Sequence, residues 1–143
     1  LCSAVWRRME ILETAFSLPV TDLARTHKFY VSVFGAEACT RDEELVSLKV
    51  GAMTVFFIPL EEFNEMLKPA DTEVDFTTGK FTSMLSCTVM TRDQTYASLK
   101  AAVESGGTPC GQAVPYPWGL AAYFKDPDTH LWEILWRDPR FRE

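Results

Sequence analysis

Lysine and arginine are nowhere concentrated in this chain. The densest group, Arg137, Arg140 and Arg142, is interleaved with acids, and the net charge of the 143 residues is −6. Phosphate recognition needs clustered positive charge, so nucleic acid is not an expected partner. No apolar run approaches the roughly 20 residues needed to cross a bilayer, and no signal-peptide core opens the chain, so no membrane partner is expected either. The sequence starts Leu1-Cys2-Ser3 without an initiator Met, which is compatible with trimming. Cys2, Cys39, Cys87 and Cys110 show no CxxC spacing and read as buried thiols of a cytoplasmic protein, with a disulfide as the alternative. GxSxG, P-loop and Cys/His nucleophile arrangements are all missing.

What is present is an ordinary globular composition, 47% hydrophobic and 24% charged, in a length that suits one compact unit. The most organised stretch is Trp118 to Trp136, two apolar, aromatic-rich runs flanking Asp126-Pro127-Asp128-Thr129-His130. Pro127 presets a turn, and the two Asp side chains can accept from nearby backbone N–H groups, so the stretch reads as a β-hairpin. Its second run places one carboxylate, Glu133, on a face shared with Leu131 and Leu135. Trp132, Ile134 and Trp136 take the other face.

Read in order, the chain predicts a strand over 14–20, then a helix over 23–34 capped by Thr21-Asp22 and stopped by Gly35. Strands over 36–40, 45–50 and 53–60 follow, then a short amphipathic helix over 61–68. The aperiodic stretch 69–80 reads as a linker. The second half restarts the order: a strand over 81–90, a helix over 91–105 ended by Gly106-Gly107, a strand over 108–114, a bend at Pro115-Tyr116-Pro117, and the hairpin. An offset of 69 superposes Phe16 on Leu85, Leu18 on Cys87, Val20 on Val89 and Tyr30 on Leu99, and after a two-residue insertion Gly35 meets Gly106. The repeat defines an α+β fold of two tandem βαβββ modules, 11–68 and 81–137, within a single domain. It implies a curved, mostly antiparallel eight-stranded sheet with helices on the convex face and a ligand groove on the concave one.

Two such modules resemble the vicinal oxygen chelate superfamily, which includes glyoxalase I, extradiol dioxygenases, fosfomycin-modifying enzymes and bleomycin-resistance proteins. Leu18-Pro-Val-Thr-Asp-Leu23, His27-Lys-Phe-Tyr30 and Phe34-Gly35 are similar to its opening strand and helix. Trp118-Gly119, Tyr123-Phe-Lys-Asp-Pro-Asp128 and His130-Leu-Trp-Glu133 are similar to its closing hairpin. For metal-dependent members the resemblance implies His or Glu ligands on the first and last strands of each module, holding a divalent ion. Here those positions fall on Ala15, Met84, Glu133, and either Thr54 or Val55. One carboxylate does not hold a catalytic metal, and His27 (helix) and His130 (turn) lie off the inner face. The character is therefore closest to metal-free bleomycin-resistance-like members, with no cofactor expected.

The sequence leads to a small-molecule-binding protein, cytoplasmic and homodimeric by resemblance, whose groove takes a partly aromatic or cationic organic molecule. Candidate ligand-binding residues are Trp118, Glu133, Met84, Ser17, Ser86, Phe57 and Arg137. Phe56 and Phe57 point to opposite faces, so one of the two lines the groove. Trp118 either stacks on ligand or packs across a subunit interface. Glu133 either serves as an anchor or catalytic base or is hydrogen-bonded to a neighbouring strand. Tyr30 and Tyr96 are read as facing the sheet or its rim, and the acids Glu43-Glu44, Glu61-Glu62, Asp71, Glu73 and Asp75 as solvated. The alternative is a lyase, isomerase or dioxygenase-like enzyme with incomplete chelation and Glu133 as base. A third reading is a purely structural or partner-binding module.

Overall fold

A computed structural model describes residues 10–75 and 83–142. The first half runs β1 (Ala15–Val20), α1 (Leu23–Phe34), β2 (Cys39–Arg41), β3 (Val46–Val50), β4 (Met53–Pro59) and α2 (Leu60–Leu67), with a 3-10 turn at Lys68–Ala70. The second runs β5 (Leu85–Val89), α3 (Arg92–Glu104), β6 (Thr108–Pro109), β7 (Val114–Tyr116), β8 (Gly119–Lys125) and β9 (Leu131–Arg137). The expected linker falls partly outside the described residues, as does the start of the strand expected from Phe81.

Each module forms its own sheet, in the orders β1-β4-β3-β2 and β5-β9-β8-β6, with β7 also on β8. The first strand of each module pairs in parallel with its last, β1 with β4 and β5 with β9, and the remaining pairs are antiparallel. The repeat seen in the sequence is thus a repeat of topology. One expected strand is broken. β6 and β7 lie along successive stretches of the same edge of β8, so the nine strands among the described residues fill eight positions. Pro109 and Pro115 have no N–H to donate, which suits an edge, and Gly111 adopts φ 77, which turns the chain between the two pieces. Cys110 N–H keeps contact across the gap, donating to the Tyr123 carbonyl at 3.0 Å. Of the bend expected at Pro115-Tyr116-Pro117, Pro115 and Tyr116 belong to β7, and the chain turns at Pro117 and Trp118.

Both major helices carry their own punctuation. Asp22 accepts from Arg25 N–H at 3.1 Å to start α1, and Gly35 at φ 95 ends it. Thr91 and Gln94 form a reciprocal capping box on α3. The buried side of α1 is Thr26, Phe29 and Tyr30, at the i, i+3, i+4 spacing that puts residues on one helix face. The helix α3 buries Thr95 and Ala102, and Tyr96 is exposed rather than turned to the sheet. The helices pack on each other, α1 against β2, β3 and β4 and α3 against β8 and β9.

The two modules meet in one shared core. Tyr30 stacks on Phe57 at 4.3 Å between ring centroids, and Trp132 from β9 packs on Tyr30, Phe34 and Phe124. A polar chain runs through this apolar centre. Trp132 Nε1 donates to the Tyr30 hydroxyl at 2.9 Å, which donates to Asp126 Oδ2 at 2.6 Å. Asp126 Oδ1 accepts from the N–H groups of Asp128 and His130, holding the β8–β9 turn. Asp128 then reaches back across the repeat, accepting from Thr21 N–H, Thr21 Oγ1 and Arg25. His130 Nε2 lies 2.7 Å from the Pro19 carbonyl. The hairpin turn of one module is fastened to the strand–helix junction of the other.

Candidate functional site

Strand alternation gives the first sheet two unlike faces. Leu18, Val20, Val46, Leu48, Val55 and Phe57 are buried toward the helices. The opposite face carries two cross-strand rows, Ala15–Thr54–Lys49 and Ser17–Phe56–Ser47. Phe56, half-buried, walls a cavity on either side. The first, about 620 Å³, is lined by Ala15, Thr54, Ser47 and Lys49 together with Ile11 and Leu12. The second, about 540 Å³, lies beyond Phe56 toward α2 and the β2–β3 turn. Its walls include Ser17, Ile58 and Met66, with Glu43, Glu44 and Glu62 among its lining residues.

Two sequence expectations are resolved by this register. Phe57, expected to line the groove, is completely buried on the helix side against Tyr30, and Phe56 takes the groove in its place. Of Thr54 and Val55, Thr54 faces inward, paired with Ala15, and Val55 belongs to the core.

The second sheet brings Ser86, Glu133 and Tyr123 into one row. The Tyr123 hydroxyl donates to Glu133 Oε2 across β8 and β9. That bond, more than burial, pushes the Tyr123 hydroxyl pKa up to about 12. The phenol therefore stays protonated and is a donor at neutral pH. Ser17 does not join this row, because it sits opposite Phe56 in the other sheet. Met84 precedes β5 and is 45% exposed. Trp118 is half-buried and lies flat on Tyr116, 4.9 Å between centroids and 6° between planes. Arg137 ends β9, exposed, opposite Gly119. His27 lies on α1 and His130 in the hairpin turn.

The residues at the expected metal-ligand positions do not fit a chelated divalent ion. Ala15 has no donor atom, Met84 offers only a soft thioether, Thr54 a neutral hydroxyl, and Glu133 already accepts from Tyr123. Among the described residues, no three His, Cys, Asp or Glu side chains come together as a metal group.

The profile of the Glyoxalase/Bleomycin resistance protein/Dioxygenase superfamily matches residues 11–134. The chain belongs to that superfamily. Solved structures agree with this placement. A hypothetical protein from S. aureus superposes with a TM-score of 0.74 at 23% identity, covering 89% of this chain and 94% of its own. A glyoxalase-related enzyme from Fulvimarina pelagi gives 0.73 at 21% identity, covering 90% and 89%. The fosfomycin resistance protein FosX from Mesorhizobium loti gives 0.63 at 16%, covering 93% and 97%. Identities this low carry the superfamily fold and nothing finer. No curated protein sequence matches the chain.

Tyr123, bonded to Glu133, and Ser47, Lys49, Glu43, Glu44 and Glu62, which line the two cavities, were not among the candidate residues read from the sequence. Period-two alternation could have placed Tyr123 beside Glu133 once the hairpin was assumed. Nothing local places Glu62 in one cavity with the adjacent pair Glu43-Glu44, since α2 and the β2–β3 turn come together only through the pairing of β3 with β4.

Proposed function

We propose that this superfamily member binds a small organic molecule on the inner face of its first module, without metal-centred catalysis. The observation that carries the reading is Phe56, an aromatic wall between two cavities whose linings mix apolar side chains such as Ile58 and Met66 with small and polar ones such as Ala15, Ser17, Ser47 and Thr54. Such a mix of apolar surface and a few polar groups is what small-molecule sites offer. In this reading the protein works in the cytoplasm as a homodimer, and Trp118, on its Tyr116 platform, presents a further stacking surface near the end of the second sheet.

A thermal-shift screen against aromatic and cationic small molecules tests the proposal. A ligand at about a hundred times its Kd adds about 2.7 kcal/mol of stability, worth several degrees in Tm for a chain of this size. The expected result is a hit whose shift disappears in Phe56→Ala. A flat screen, with no change in Trp118 fluorescence, counts against it.

The Tyr123–Glu133 pair favours a second reading, a lyase, isomerase or dioxygenase-like enzyme with incomplete chelation. Glu133 would be its base, released when Tyr123 turns to substrate. Metal titration of the purified protein separates the two. We expect no stoichiometric, tightly held divalent ion, whereas an ion retained by the protein and released by Glu133→Ala would favour the enzyme.

A further inference from the structure

Alternation and register divide the open face of the second sheet into three cross-strand rows. At one end Glu133 sits beside Tyr123. In the middle Leu135, Ala121 and Val114 make an apolar band, and at the other end Arg137, Gly119 and Tyr116 lie side by side. The face is therefore acidic at one end, apolar across its centre and basic at the other. Glu133 and Arg137 share one strand, four residues apart, or about 13 Å at the rise of an extended chain. They do not pair with each other, and among the described residues Arg137 is in no ion pair. Glu133 is half-buried, and Tyr123 occupies only one of its oxygens. The other has no hydrogen-bond partner among the described residues. Gly119 keeps the basic end open: a Cβ there would run into the Trp136 carbonyl, so bare backbone lies between Arg137 and Tyr116. A guanidinium presents a planar fork that matches a carboxylate. A carboxylate or an amine alone meets one end of this face and leaves the other to water. A molecule with a carboxylate at one end, a donor at the other and hydrocarbon between meets both ends and takes the middle row out of water.

We infer that the open face of the second sheet binds linear dipolar acids, an aliphatic chain with a carboxylate against Arg137 and an amine or hydroxyl donating to Glu133. The chain lies over Leu135, Ala121 and Val114. Neither Phe56 nor the first-module cavities take part, so the assignment goes beyond the groove proposed above and stands or falls apart from it.

The test uses the full chain and four probes titrated calorimetrically at low salt: 8-aminooctanoate, octanoate, octylamine and 3-aminopropanoate. The first carries both ends on a chain long enough to cross the middle row. The next two carry one end each, and the last carries both ends too close together. The 8-aminooctanoate is expected to bind roughly tenfold tighter than octanoate or octylamine, and 3-aminopropanoate to give no measurable heat. Arg137→Gln should reduce 8-aminooctanoate to the affinity of octylamine. Glu133→Gln, whose amide oxygen still accepts from Tyr123, should reduce it to that of octanoate. Because Arg137 is exposed, the advantage should shrink in about 0.5 M salt, where screening is short-ranged. If octanoate binds as tightly as 8-aminooctanoate, or if the advantage survives either substitution, the dipolar assignment is overturned. Binding that is lost in Phe56→Ala and kept in both other variants places the ligand in the first module and overturns it too. The absence of heat with all four probes does the same.

Discussion

Replacing Asp126 by Ala should cost about 3 kcal/mol or more of folding stability, because it strands three donors in the interior at roughly 1–3 kcal/mol each. Those donors are the N–H groups of Asp128 and His130 and the hydroxyl of Tyr30. Urea unfolding followed by far-UV circular dichroism measures the loss. A change under about 1 kcal/mol would mean that the turn is held by other groups.

Asp126→Asn separates geometry from charge. The amide oxygen keeps the two backbone bonds, but its NH₂ faces a Tyr30 hydroxyl that then has no acceptor. Burial is the main cause that raises the Asp126 carboxyl pKa, opposed by His130 and the hydrogen bonds it accepts. A carboxyl whose folded pKa lies above its unfolded value of about 3.9 stabilises most in acid, and that stability is lost as pH rises through the folded pKa. The stability advantage of the native chain over the Asn variant should therefore be greatest below about pH 4 and shrink as the buried carboxylate ionises. A pH-independent difference would place the cost entirely in the hydrogen bonds.

Trp132→Ala is expected to be the other severe loss, about 3–5 kcal/mol, from removal of a large buried aromatic side chain and incomplete collapse of the hole. Trp132 is fully buried, and its neighbours Tyr30, Phe34 and Phe124 come from both modules. Trp132→Phe retains much of that packing and drops the bond to Tyr30, so its cost should be clearly smaller. Equal losses for the two variants would show that the hydrogen bond, and not the packing, dominates.

These sites show what the sequence could and could not convey. The limits of α1 were legible because Asp22 and Gly35 act on their immediate neighbours, and the hairpin was legible because Pro127 and its flanking acids fix a local reversal. The choice between Phe56 and Phe57 was not. Alternation separates the two faces of a strand but does not say which one the helices cover, and that followed only from the parallel register of β1 on β4. The break between β6 and β7 depends on Gly111 taking a left-handed conformation, which Gly permits without requiring. Asp126 was read as a turn residue, and it is one. Its second role, accepting from Tyr30 some 96 positions earlier, has no local trace. The acids Glu43, Glu44 and Glu62 were read as solvated and are exposed; that the β2–β3 turn and α2 line one cavity had no local sign.

The core indole has a practical consequence in optical work. Trp132 is sealed between the halves and bonded to a tyrosine of the opposite half, so its emission should be blue-shifted in the native protein. Any event that parts the halves, by denaturant, pressure or mutation, would admit water to this ring and move its emission to the red. Comparing the native chain with Trp132→Phe would isolate this signal from the other three tryptophans.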